Sequence, residues 1–273
     1  MRLRVLHETR YAYDQPARGL IQVMRLTPAS HEGQHVRRWR IDPSVDGSLK
    51  VKEDTLGNTI HVFSADGAVD QLVVRVSGEV ETFDTHGVVT GTAERVPEAF
   101  FLRDTDLTTP DDALRAFAAE AGGSPDPLTR LHDLLKAING TIVFDTAPTH
   151  AATTAAEAFA MRRGVCQDLT HVFIATARHL GIPARYVSGY FFRADGVVEQ
   201  EAGHAWAEAK VPGLGWVGFD PANGIATGPA HLRLAIGLDY LGAAPIRGSR
   251  YGGGNETLDV RLRVDNGQSQ AQG

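Results

Sequence analysis

The first thirteen residues, MRLRVLHETRYAY, place Leu3, Val5, His7, Thr9, Tyr11 and Tyr13 at every second position, with Arg4, Glu8 and Arg10 between them. Period two is the pattern of a strand with one covered face. LIQVMRL, within residues 19 to 26, reads as a second strand. HVRRWRIDP, VKEDTLGNTIHVFSA and QLVVRVSGEVET continue the series, and DG and LGN mark turns between them. Short strands at this spacing predict a β-sandwich-like domain over residues 1–92. No acid, base and nucleophile cluster there, so the module reads as structural or as one that orients substrate.

After residue 92 the period changes. TTPDDALRAFAAEA offers Thr109 as N-cap, Pro110 at the first helical position and Asp111 and Asp112 in the first turn. SPDPLTRLHDLLKAI repeats that start and carries Leu128, Leu131, Leu134, Leu135 and Ile138 as one stripe. Thr154 and Glu157 stand at capping-box spacing. VCQDLTHVFIATARHLG then aligns Leu169, Val172, Phe173, Thr176 and Leu180 on one helix face, and Gly181 ends it. Three strand-like runs follow, IPARYVSGYFF, HAWAEAKV and GWVGFDP, and ETLDVRLRV comes after GGGN. The fold class is therefore α+β, with a second module over residues 93–265. The polar tail, 266–273, is expected to be disordered.

Composition narrows the function classes. The 273 residues carry a net charge of −6, with 42% apolar and 22% charged positions, and no basic block suits a nucleic acid. No run approaches the ~18 apolar residues of a membrane span, and the start lacks an apolar leader core. Neither nucleic acid nor membrane is an expected partner, and no pattern speaks to an oligomeric state. A single cysteine forms no intrachain disulfide, which fits a reducing, cytoplasmic compartment. The eleven histidines are scattered, with no HExxH or paired-cysteine spacing, so no metal is expected. Asp106, Asp111 and Asp112 match a calcium loop less well than they match helix capping. Without GxGxxG or GxxxxGK[ST], no nucleotide cofactor is expected either.

The lone cysteine is the informative residue. GVCQDLTH places Cys166 in the first turn of a helix, where partial positive charge and free N–H groups favour a thiolate and can hold an oxyanion. The plain alternative is a small buried apolar residue. A nucleophile needs a base within reach and a group to orient that base. His171 lies five residues on, ~140° around the helix, and points away from the sulfur. His179 is about three turns distant. His204 opens a strand and shares its face with Trp206 and Glu208. Asp220 ends the next strand-like run after the short turn VPGLG, so two antiparallel neighbours can bring it beside His204.

The blocks GVCQD, LGIPARYVSGY, GHAW and GWVGFDP, in that order over residues 164–224, resemble the transglutaminase-like superfamily of cysteine enzymes, in its bacterial branch with an N-terminal β domain. Weaker similarity runs from LHETRYAYDQPA to GLDY and RGSRYGGGNETLDVRLRV. The resemblance implies a papain-like core, in which the cysteine helix packs on an antiparallel sheet bearing histidine and aspartate. It implies Cys166 as nucleophile, His204 as base and Asp220 as orienter, acting on a peptide or protein amide through a thioester. Release to water makes a cysteine peptidase or amidase, and release to an amine makes a protein-glutamine transglutaminase. Hydrolysis is favoured, because no residues identify an amine site. A non-catalytic binding module would be marked by a missing triad member, and none is missing. A purely structural protein would bury an inert Cys166 far from His204.

Around these three, Asp168 and His171 are read as a pair on the far helix face, bonded to each other or to neighbouring strands. Gln167 either contacts substrate or caps the helix. Gly203 leaves room beside His204, and Trp206 and Trp216 are read as core. Asp239 and Tyr240, in GLDY, come near the cleft only through the resemblance.

Overall fold

The computed structural model describes residues 1–267. The expected tail, residues 266–273, therefore lies outside them from residue 268 onward, and Asn266 still belongs to a strand. An eight-stranded sheet is built around one long strand, Arg2–Met24. The early half of that strand lies between Glu256–Asn266 and Val69–Thr82, and its later half pairs with Ile246–Gly252 and Thr59–Ala65. The two strands expected over residues 1–13 and 19–26 are thus a single bent one. Its register shifts between Ala12 and Ala17 against one neighbour and between Ala17 and Gly19 against another. Pro16 lies in that interval without an N–H to offer the ladder, so the strand bends, changes partners and curls the sheet. Leu3, Val5, His7, Thr9, Tyr11 and Tyr13 are all buried, as their period requires.

Sheet membership crosses residue 92 in both directions. Val88–Val89 pairs with Val217 and Trp216 of the second sheet, whereas Ile246–Gly252 and Glu256–Asn266, from the segment assigned to the second module, complete the first. The physical reason is edge filling. A strand of 23 residues has two long edges, and the local hairpins of the N-terminal segment cover only part of them. The returning chain covers the rest, turning at Gly252, Gly253 and Gly254, all with positive φ.

The second sheet has six strands, antiparallel, with Ile225–Ala226, Gly215–Asp220, His204–Val211, Ala184–Phe191 and His231–Gly237 in spatial order. The helix Cys166–His179 packs on one face of it. Ala205, Ala207 and Ala209 meet the helix in a shared core, their small side chains allowing close approach. Helices Asp112–Ala121, Pro127–Thr141 and Ala155–Met161 contact the other sides, so every residue from Asp168 to Arg178 is buried. The single apolar stripe seen in the sequence understates this enclosure.

Local signals set most helix starts. Asp126 caps Pro127–Thr141 by accepting from the Thr129 N–H at 2.8 Å, and Thr154 and Glu157 form the reciprocal capping box. Thr109 is not the first cap. Its hydroxyl donates to the Thr105 carbonyl at 2.8 Å, and Asp111 caps Asp112–Ala121 through the Leu114 N–H.

The sheet face opposite the cysteine helix is covered by Phe101, and the end of the sheet meets the N-terminal module. Val187, Trp206, Trp216 and Ile236 cluster with Phe101, while Tyr190, Leu232 and Leu234 join the core of the first sheet. His7 hydrogen-bonds to the Tyr190 hydroxyl at 2.8 Å, and Gln34 holds both the N–H and the carbonyl of Arg233. Among the described residues no helix is long and apolar enough to cross a membrane.

Candidate active site

Cys166 is the first residue of its helix, His204 the first of its strand and Asp220 the last of its own. The three meet where helix and strand ends come together. The antiparallel register aligns Ala207 with Phe219, which puts Asp220 opposite position 206 and diagonal to His204. The His204 Nε2 donates to Asp220 Oδ2 at 2.7 Å, and Cys166 lies near enough to act on the imidazole electrostatically. Burial opposes a charge on His204, but the hydrogen bond to Asp220 and the neighbouring Cys166 outweigh it and lift the imidazole to about 10. The imidazolium is the form this site favours.

Asp220 is fully buried, and burial alone would push its carboxyl up. Hydrogen bonds from His204 and His231 reverse that and hold it well below the usual carboxylate range. His231 Nε2 lies 3.0 Å from Oδ2, the Asn223 side-chain amide donates to the same oxygen at 2.7 Å, and the Asn223 backbone N–H reaches Oδ1 at 3.2 Å. Neither His231 nor Asn223 stands out in the sequence. The Asn223 signal was its place three residues after Asp220, the spacing of a side chain that folds back on a turn. His231 had no local signal, because it arrives from the far edge of the sheet.

The remaining candidates separate. Asp168 and His171 do not bond to each other. Asp168 Oδ2 accepts from the Val165 N–H and the Thr149 hydroxyl, both at 2.8 Å, and so ties the helix start to the preceding loop. Burial raises its carboxyl, against those bonds. His171 Nε2 instead accepts from the Tyr240 N–H at 3.0 Å, and burial lowers this imidazole to about 4. The two residues are three apart on the helix, but each finds a backbone partner nearer than the other. Gln167 is half-buried, with its amide 3.5 Å from the Ala151 carbonyl. At Gly203 a Cβ would sit 3.1 Å from the Gly189 carbonyl, so the room there is limited by the neighbouring strand. Trp206 is buried in the core cluster, its ring edge-on to His231 at 5.2 Å between centroids. Asp239 accepts from the Gly242 N–H and caps a short helix.

His204, Asp220 and His231 bring ligand-type atoms within 4.8 Å of one another. The hydrogen bonding does not suit a cation. The Gly228 N–H donates to His231 Nδ1 at 3.1 Å, which leaves the ring proton on Nε2 and no lone pair there for a metal. The three residues share protons around one carboxylate.

A family model described as the transglutaminase-like superfamily matches residues 115–221, and one described as the bacterial transglutaminase-like N-terminal region matches residues 3–81. The chain belongs to the transglutaminase-like superfamily and carries its bacterial N-terminal region. An uncharacterized protein of Mycobacterium leprae is 27% identical over 277 residues, covering 96% of this chain and 98% of that one. An uncharacterized protein of Mycobacterium tuberculosis is 33% identical over 172 residues, covering 58% of this chain and 55% of its own. Among solved structures, one described as "a Putative Cysteine Protease from Cytophaga hutchinsonii" superposes with a TM-score of 0.79 at 20% identity, over 98% of this chain and 91% of that one. That likeness shows a common fold.

Proposed function

We propose that the protein is a thiol-dependent amide hydrolase acting on a peptide or protein substrate, with Cys166 as nucleophile, His204 as acid and base, and Asp220 as the group that orients it. The observation that carries the reading is the hydrogen bond from His204 to the buried Asp220, beside a cysteine at a helix start that acts electrostatically on the same imidazole. With His204 charged, the thiolate attacks the amide carbonyl and the N–H groups at the helix start receive the oxyanion. His204 gives its sulfur-side proton to the departing amine as the C–N bond breaks, leaving a thioester. The same nitrogen then takes a proton from water, whose oxygen attacks the thioester. Collapse releases the acid and restores the thiolate–imidazolium pair.

The test is the rate of Cys166 alkylation by iodoacetamide against pH, in wild type and in His204→Ala. The sole cysteine makes the label specific. Wild type is expected to react well below the ~8.5 of a free thiol, and the variant to lose that reactivity. A thiol inert at every pH, or indifferent to His204, overturns the proposal. Peptide turnover should vanish in Cys166→Ala with the fold intact, and products formed in the presence of added amine should remain free acids rather than amides.

A further inference from the structure

Asp220 Oδ2 is the meeting point of three donors, and only one of them belongs to the residue it is proposed to orient. We propose that His231 is a positioning residue for this site, holding the Asp220 carboxylate ionised and fixed so that it can support the His204 imidazolium. The inference rests on the reading of Cys166, His204 and Asp220 just given.

The tautomer is the first argument. A backbone N–H can only donate, so the Gly228 N–H at 3.1 Å makes His231 Nδ1 an acceptor. The ring proton is thereby on Nε2, 3.0 Å from Asp220 Oδ2. The second argument is selectivity for charge. His231 Nε2 and both N–H groups of Asn223 donate to this carboxylate whichever tautomer His204 adopts. That fixed set of donors favours the ionised carboxylate over the neutral acid. Enclosure is the third. The His231 side chain is 3% exposed, and its ring is packed by Phe191 at 4.8 Å and Trp206 at 5.2 Å between centroids. The titratable groups facing it are Asp220 and His204, whose ring centre is 6.2 Å away. Strand His231–Gly237 pairs with Ala184–Phe191, which pairs with His204–Val211, so sheet register and not a flexible loop delivers the donor.

Two substitutions separate positioning from packing. His231→Phe fills the space against Phe191 and Trp206 but removes the donor. His231→Gln gives up the ring but returns an N–H at similar reach. Both are compared with wild type in the iodoacetamide profile of Cys166 and in thermal melts, and His231→Ala replaces the Phe variant should that one fail to fold. If His231 positions Asp220, the Phe variant loses about tenfold or more of its low-pH alkylation rate, the worth of a charge-assisted bond, and the Gln variant recovers most of it. A packing role predicts the reverse order, with Gln the worse of the two. A Phe profile superimposed on wild type, or a Gln variant no better than Phe, overturns this inference alone, since wild type still shows the pair. An ordinary thiol profile in wild type overturns the underlying reading and this inference with it.

Discussion

The Asp220 carboxylate accepts from His204, His231 and the Asn223 amide and has no access to water. An asparagine there would keep the shape but turn an amide NH2 toward some of those donors, and it would remove the charge that holds the His204 proton. Asp220→Asn is therefore expected to lower kcat about 10³–10⁴-fold, the loss seen when a triad orienter is neutralised, with KM little changed. Steady-state peptide hydrolysis measures it, and a loss below about tenfold would remove Asp220 from the mechanism. At this scale the sequence exposed Cys166 by its place at a helix start, and His204 and Asp220 by strand ends and a short turn. His231 stayed hidden because its contact with Asp220 passes through two other strands of the sheet.

The strand His204–Val211 shows how one element serves two layers. Its alanines at 205, 207 and 209 take the cysteine helix, and the alternate face carries His204, Trp206 and Glu208. Glu208 is fully buried between Arg185 at 2.7 Å and Arg233 at 2.7 Å, and Arg185 goes on to Glu94 at 2.8 Å. Burial pushes this carboxyl up, but Arg233 and Arg185 outweigh it and hold it at about 2. Glu208→Gln leaves two buried guanidinium groups short of a counter-charge, and the expected cost is about 3–5 kcal/mol in urea unfolding. A loss within about 0.5 kcal/mol, the range of an ordinary surface substitution, would show that the network is not a structural tie. Helix starts were legible because capping is local, as at Asp126 and Thr154. The exception is instructive: Thr109 and Asp111 are both good caps, and only the Thr105 carbonyl, one turn back, decides between them.

For the molecule as a whole, buried imidazoles set the acid limit. Burial lowers His7, His31 and His171 each to about 4. Unfolding exposes them to protonation from ~6.5 downward, so the unfolded chain binds more protons, and the stability these groups lend is lost as pH falls from ~6.5 toward 4. His204 acts in the opposite sense. Its raised imidazole contributes stability that is whole below ~6.5 and fades as pH rises through about 10. Thermal melts should thus show Tm falling between pH 6.5 and 4, and His171→Gln should flatten that slope. A flat Tm over this window would contradict the assignment. Period two and period 3.6 are properties of neighbouring residues, and so the sequence by itself determined most strands and helices, the faces they bury, and that a cysteine stands at a helix start, though not the strands His231–Gly237 and Ile246–Gly252. It could not determine that Ile246–Gly252 and Glu256–Asn266 complete the first sheet, that the N-terminal module packs against Tyr190, Leu232 and Leu234 of the second, or that His231 reaches Asp220. Those are pairings between segments far apart in the chain, decided by which edges remain unfilled and which faces remain uncovered once the local elements have formed.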